Sequence, residues 1–391
     1  MLSMKRTIES AWTRHSPSAD GGIAAAGHDG ATERAVAFDA IRLFAAFLVV
    51  FSHSFEITQG DRSGEPLVAL FGQLSLGEVG VLIFFAVSGF LVTESWRSTP
   101  HANCFLWKRG LRIVPALWVN VLILALVVGP VASTLAPAAY FSDPGTASFL
   151  VNGLMFGAEW GLPGVFTSAP VANAVNLPLW TLSYEILCYL MIAILGAANR
   201  LRPGVLAVIF AALLTLNLFP EMRGASGVGG LLYPLTLVGP SFLAGAIASC
   251  LAPSIRLARS TAIGAAITLW IAAMFGSFTV MFAISGVYLV LYFALSPPGW
   301  LQGVGRRLSR FGDYSYGVYL WGWPVQQMIE TQLQTGSWAL NFAISAPITL
   351  LLAIASWRIV EKPALRLKRL VTSRRSQENL GGDVGAVSLR G

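Results

Sequence analysis

An arginine and a histidine share one apolar stretch, FDAIRLFAAFLVVFSHSF, at residues 38–55. Arg42 and His53 stand eleven positions apart. At about 100° per residue this is three turns plus about 20°, so both side chains leave one helix face, about 16 Å apart along the axis. They look into the same cavity. An ionisable group in a membrane helix is costly and ordinarily faces a bundle interior or a watery pocket, and a neutral imidazole in such a place can accept a proton. Each residue also has a plainer reading: Arg42 lies near the start of the stretch and could snorkel to head groups, and His53 could be a hydrogen-bonded core histidine. Glu56, three residues on, reads as the outer boundary of the helix, with orientation of the His53 ring as the alternative.

Further groups stand at informative spacings. Arg109 and Arg112, in KRGLRIVP (108–115), are neighbours on one helical face, and the planar guanidinium fork matches phosphate. A positive anchor at the membrane surface accounts for Lys108 and Arg109 better than for Arg112, which immediately precedes an apolar run. Glu185, in LWTLSYEILCYL (179–190), is a lone carboxylate about halfway along a span and needs a polar partner. It could pair with an inward arginine such as Arg42, orient His53, or sit protonated as a hydrogen-bond donor. Ser88, in FFAVSGFLVTES (84–95), could bind a substrate, or form with Gly89 a small pair for close helix packing. No base is identifiable beside it, so it is not read as a covalent nucleophile.

The elements that must hold these groups are helices in a bilayer. The chain is 55% hydrophobic and 12% charged, with a mean hydropathy of +0.66, whereas soluble domains carry about 25% charged residues. Apolar windows of spanning length fall near 37–57, 77–95, 112–133, 177–197, 204–219, 231–251, 261–276, 279–296, 312–330 and 339–359. The expected fold is therefore an all-α polytopic membrane protein with about ten transmembrane helices. Arginine and lysine gather at Arg97, Lys108–Arg112, Arg200, Arg202, Arg256, Arg259, Arg306–Arg310 and both tails, against Arg62 and Arg223 in the opposite loops. By the positive-inside rule both termini are cytoplasmic. The net charge of +7 is thus a topology signal that also favours anionic lipid, and needs no nucleic acid.

Residues 1–35 read as a disordered cytoplasmic tail without a cleavable signal, 36–368 as the membrane domain, and 369–391 as a second cytoplasmic tail. The segment from about Val131 to Asn176 is too long for an ordinary loop and is expected to line an outward-facing site. Within it FLVNGLMFGAEW suggests a short interfacial helix, with Trp160 at head-group level. Cys104, Cys188 and Cys250 suit buried small residues better than a disulfide framework or a metal site.

Taken in order, R-x10-H at Arg42 and His53, FFAVSGFLVTES, KRGLRIVP, LWTLSYEILCYL, DYSYGVYLWGWPVQQ (313–327) and EKPALR (361–366) resemble acyltransferase family 3. These are bacterial membrane O-acyltransferases of surface polysaccharides, lipopolysaccharides and lipo-oligosaccharide signals, and the resemblance runs from about Val36 to Lys368. It implies a bacterial inner-membrane enzyme that takes an acyl group from cytoplasmic acyl-CoA, commonly acetyl-CoA, to a sugar hydroxyl of a glycan or lipid-linked oligosaccharide on the far side, with no metal. It points to His53 as general base and matches Arg109 and Arg112 to a family R-x-x-R motif for the donor.

The residues suit that chemistry independently, because acyl transfer to an alcohol needs a base at the hydroxyl and a grip on the donor. His53 is the only histidine inside an expected span. Tyr314, Tyr316, Tyr319, Trp321 and Trp323 could wall a site for a sugar ring or acyl arm, though an aromatic belt explains at least half of them. Gly322 stands where the family often has histidine, so no role is transferred there. Glu361 and Lys362 read as an interfacial structural element, with Pro363 interrupting the span. The competing class is a glycolipid transporter or flippase; the paired repeats with broken helices common in transporters are not found.

Overall fold

The computed structural model describes residues 28–154, 159–219, 228–309 and 312–368. The main helices are α1 (His28–Gln59), α2 (Leu76–Ser98), α3 (Ala102–Ile123), α4 (Trp180–Ala197), α5 (Pro203–Asn217), α6 (Val228–Leu251), α7 (Arg259–Met274), α8 (Val287–Leu295), α9 (Gly299–Ser309), α10 (Ser315–Leu333) and α11 (Trp338–Ser356). No strand occurs among the described residues, where one isolated bridge joins Ser133 to Val165. A helix stands at each of the ten expected spans. Seven are long and apolar enough to cross a membrane, while α5 and α7 are shorter apolar helices. Helix α10 falls outside both groups because its Gly, Gln and Glu content suits protein rather than lipid, and every residue from Tyr314 to Pro324 is buried. The protein is an all-α polytopic membrane protein.

The described part of α1 already begins at His28, inside the expected N-terminal tail. The rest of both tails, with Arg223 and Arg310, lies outside the described residues. Two compact units are discontinuous in sequence. The first runs to Glu94 and resumes over Leu201–Ser315; the second takes Ser95–Arg200 and resumes at Tyr316.

In the first unit α2 is packed on two sides through glycine. Gly80 and Gly89 lie nine residues apart, half a turn out of phase. A Cβ on Gly80 would come 2.6 Å from the carbonyl oxygen of Ala45 on α1, and one on Gly89 would come 1.9 Å from that of Phe242 on α6. Gly245 on α6 returns the contact, its Cβ position lying 2.2 Å from the Ala86 carbonyl oxygen. Around these crossings Phe38, Leu82, Phe90, Phe282 and Leu291 form an apolar core, with Phe38 stacked on Phe90 at 5.6 Å. In the connection between α1 and α2 the buried Glu65 accepts hydrogen bonds from the backbone N–H groups of Leu67, Val68 and Leu76 at 2.8, 3.0 and 2.6 Å. The basic stretch after α8 is a helix, α9, with Leu301 inward, Arg306 and Arg307 exposed, and Gly305 against the Val36 backbone.

In the second unit α10 is tied to its surroundings along one side. The Tyr316 hydroxyl donates to the Ile113 carbonyl at 2.9 Å, Tyr319 to Pro178 at 2.8 Å, Trp323 Nε1 to Ala174 at 2.9 Å and Gln327 to Val171 at 2.8 Å. These residues recur at three- and four-residue steps, one helical stripe. The long segment after α3 is compact, with short helices at Pro137–Ser142 and Pro144–Phe149 and a tight turn at Leu150–Leu154. Tyr140 is buried in it and donates to the Ala125 carbonyl at 2.8 Å. The suggested interfacial helix is thus only a short turn up to Leu154, residues 155–158 being outside the description, and Trp160 is partly exposed.

Among the described residues three helices contain a wider turn closed by i→i+5 bonds: Leu124–Val128 after α3, Phe282–Gly286 before α8, and Trp357–Glu361 after α11. After the last of these the chain continues helically over Lys362–Arg366, so Pro363 does not interrupt the span. A proline in the first turn of a new helical segment has no intrahelical bond to break.

The glycine contacts give contrasting expectations. Gly89→Ala should lower stability by about 1–3 kcal/mol, because the added methyl meets backbone that cannot turn aside. Gly264→Ala on α7, where nothing lies within 4 Å, should be neutral or slightly stabilising. Thermal unfolding of the two variants in detergent measures the difference.

Candidate active site

Helix α1 carries Arg42 and His53 as one uninterrupted helix, so the eleven-residue phase relation holds. The charge partner of Arg42 is Asp313: Nη1 donates to Oδ2 at 2.7 Å, with the side chains 22% and 12% exposed. Asp313 also accepts from the Ser315 N–H and hydroxyl at 3.2 and 2.5 Å, which starts α10. The ion pair therefore fixes α1 against the entry to α10, a stronger arrangement than snorkelling to head groups. His53 sits between Ser52 and Ser54, both fully buried, with Phe55 beside it, yet keeps partial solvent access itself. Glu56 is held by Arg62, whose Nε and Nη2 both reach Oε2 at 2.7 Å. Glu56 thus belongs to the boundary, where a loop arginine closes over the end of the helix. Gly89 serves close packing, while its neighbour Ser88 keeps partial access.

The second unit gathers a different set. Arg112 Nη1 pairs with Glu361 Oε2 at 3.3 Å, the two side chains being 13% and 1% exposed. Its guanidinium lies 6.0 Å from the Tyr316 ring centroid and 5.6 Å from that of Trp357. The Ser356 hydroxyl donates to the other Glu361 oxygen at 3.1 Å. One turn before Arg112, Arg109 lies 6.0 Å from the rings of Phe105 and Tyr189, and its buried Nε has no hydrogen-bond partner among the described residues. The Tyr189 hydroxyl donates to Glu185. Lys368 joins the group from the far end of the chain. Burial, with Arg109, Arg112 and Lys108 around it, pulls its ammonium down to about 8.

The structure therefore brings Arg109, Arg112, Glu185 and Tyr316 together in the second unit, whereas Arg42, His53 and Ser88 belong to the first. The carboxylate paired with Arg42 is Asp313, and the contact recorded for Glu185 is the Tyr189 hydroxyl. Tyr319 and Trp323 are buried, and their polar atoms bind backbone carbonyl groups; what they offer a ligand is ring surface. Glu361 is corrected from an interfacial residue to the buried counter-charge of Arg112, because the wide turn before it points it inward. Lys362 is exposed.

Sequence reasoning passed over Asp313, Tyr189 and Lys368. Two had a signal: Asp313 opens the aromatic stretch, and Tyr189 lies four residues after Glu185, one helical turn. Lys368 had none beyond its charge.

A model described as an acyltransferase domain matches residues 36–358. An O-acetyl transferase of Shigella phage Sf6 is 30% identical over 333 residues, 83% of this chain and 94% of that protein. Nodulation protein 10 of Rhizobium leguminosarum bv. viciae is 30% identical over 366 residues, 86% and 95% of the two chains. Acyltransferase MdmB of Streptomyces mycarofaciens is 30% identical over 152 residues, 38% and 36% of the two. No solved structure matches. The domain match covers most of the chain and two relatives align over nearly their whole length, so the chain belongs to this acyltransferase family and is a membrane O-acyltransferase.

Proposed function

We propose that the protein moves an acyl group, most simply acetyl, from cytoplasmic acyl-CoA to a sugar hydroxyl of a surface or exported glycan, or of its lipid-linked precursor, in a bacterial inner membrane. The observation that carries this reading is His53, an imidazole flanked by the buried Ser52 and Ser54 within a membrane helix. The family supports acyl transfer, and the name of the phage relative supports an acetyl group. In this reading His53 accepts the proton of the acceptor hydroxyl as its oxygen attacks the thioester carbonyl. The carbon–sulfur bond then breaks, and the departing thiolate leaves as the free thiol with the proton that His53 returns. The ester and CoA are the products, and no other reactant is needed.

Arg109 and Arg112 are the proposed grip on the donor's phosphates, with Glu185 and Tyr189 setting the position of Arg109. The Tyr316 ring beside Arg112 forms a wall of that site. Arg42 positions α1, through Asp313, so that His53 is presented correctly. Ser88, Tyr319 and Trp323 are proposed to contact the acceptor or acyl arm, the latter two through their rings.

His53→Ala should lower turnover by about 10²–10⁴-fold, the usual loss for a general base, while leaving insertion and donor binding intact. Transfer of label from radiolabelled acetyl-CoA by purified protein in detergent measures the first, and calorimetric titration the second. Wild-type turnover in an inserted His53→Ala protein removes His53 from the mechanism. Surface glycans compared by mass spectrometry with and without the gene identify acyl group and acceptor.

Arg109→Gln should raise the donor KM by roughly 10- to 150-fold with kcat little changed, corresponding to one charge-assisted bond of about 1.5–3 kcal/mol made equally in ground and transition states. Arg109 is the cleaner probe of the two arginines, since replacing Arg112 would also strand the buried Glu361 carboxylate. An unchanged donor KM in Arg109→Gln would leave Arg109 as a topology anchor.

A further inference from the structure

Helix α9, GWLQGVGRRLS, follows directly on a membrane span and is itself too short to be one. Its eleven residues reach about 16 Å, roughly half of a hydrocarbon core. Its depth is set from two directions. The span of α8 ends at Leu295, and only Ser296, Pro297 and Pro298 precede α9. The turn is closed by the Leu301 and Gln302 N–H groups, which donate to the Pro298 carbonyl at 2.9 and 3.1 Å, and by Gln302 Nε2, which donates to that of Pro297 at 3.0 Å. Along its side, a Cβ on Gly305 would come 2.8 Å from the carbonyl oxygen of Val36, and the span of α1 begins at Ala35. Helix α9 therefore lies just beyond the end of one span and against the start of another, at the level of the lipid head groups.

At about 100° per residue Leu301, Gly305 and Leu308 point one way, and Leu301 and Gly305 are buried there. Trp300, Val304 and Arg307 form the adjoining stripe, within about 60° of one another. Trp300 is 67% and Val304 45% exposed, and Arg307 is exposed with them. The apolar arc of α9 is thus wider than the part its own chain covers. An uncovered indole and valine beside an arginine, at head-group depth, match an anionic phospholipid. Tryptophan favours that level, and the guanidinium fork fits a phosphate. Arg306, exposed one position earlier, adds positive charge, and no carboxylate stands between Gly299 and Ser309 to oppose it.

We propose that the edge of α9 formed by Trp300, Val304 and Arg307 is a binding site for an anionic membrane phospholipid, with the phosphate on Arg307 and the ester region and upper acyl chain on Trp300 and Val304. The site lies within the first unit and does not depend on the acyl-CoA reading. Charge selects this occupant. A zwitterionic lipid offers the same phosphate but brings a cation toward two adjacent arginines, and a second copy docked through the same edge would bring arginines toward arginines.

The experiment is native mass spectrometry of the full-length protein in detergent, titrated with phosphatidylglycerol or phosphatidylcholine, for the wild type, Arg307→Gln, Arg307→Lys and Trp300→Ala. The wild type should retain phosphatidylglycerol several-fold more strongly than phosphatidylcholine. Arg307→Gln should weaken phosphatidylglycerol retention roughly fivefold, the usual worth of one basic residue at an anionic surface, and leave phosphatidylcholine unchanged. Arg307→Lys should keep the preference, and Trp300→Ala should weaken both lipids. In vesicles, dibrominated phosphatidylglycerol should quench wild-type fluorescence more than Trp300→Phe fluorescence, and by a wider margin than dibrominated phosphatidylcholine does.

Equal retention of the two lipids by the wild type overturns the proposal without any variant being needed. Wild-type retention of phosphatidylglycerol by Arg307→Gln overturns it as well. Loss of a wild-type dimer in Trp300→Ala, with lipid retention unchanged, assigns the edge to a second copy of the chain and overturns it too.

Discussion

Arg112 and Glu361 stand 249 positions apart and meet at 3.3 Å almost out of reach of water. Either charge alone in that position costs several kcal/mol, and neither can be relieved by a local rearrangement. The pair is satisfied only while α3 stays against the end of α11, with the rings of Tyr316 and Trp357 flanking the guanidinium. Satisfying Arg112 internally also occupies Glu361, the nearest carboxylate. The neighbouring Arg109 keeps a buried Nε with no hydrogen-bond partner among the described residues.

The first unit repeats this device with different partners. Arg42 and Asp313 are 271 positions apart and meet at 2.7 Å. A buried ion pair adds little net stability over an apolar pair of the same shape, yet mispairing it is costly. Such a pair therefore selects one arrangement of helices rather than strengthening all of them. The glycines of α2 and α6 do the complementary work, admitting backbone contact where the ion pairs only constrain direction. His53 belongs to neither ion pair.

Most of this fold was legible in the chain because lipid imposes a simple requirement: each span must be apolar for its length. That requirement located α1, α2, α3, α4 and α11 directly. It served α10 less well, whose Gly, Gln and Glu are tolerated because protein surrounds them. The candidate site was legible where a charge interrupts an apolar run, as at Arg42, His53, Arg112 and Glu185. It was not legible where the partner sits at a helix end. Asp313 and Glu361 lie where charges are expected at a membrane surface, and only tertiary structure turns them inward. Lys368 is the extreme case, one cation among several in a basic C-terminal stretch.

What turns Glu361 inward is a change of helical pitch. In an α-helix residues five apart are about 140° apart around the axis, which would send Ser356 and Glu361 to different sides. The i→i+5 bonds of the Trp357–Glu361 turn bring such residues nearly into line. Ser356 can then donate to one Glu361 oxygen while Arg112 binds the other. Trp357, at the start of the same turn, lies beside the same guanidinium. The wide turn leads into Pro363, which cannot donate to the preceding turn in any case, so the altered register loses little there. A local irregularity that apolar patterning does not encode thus decides which way the carboxylate faces, and with it whether Arg112 meets its counter-charge.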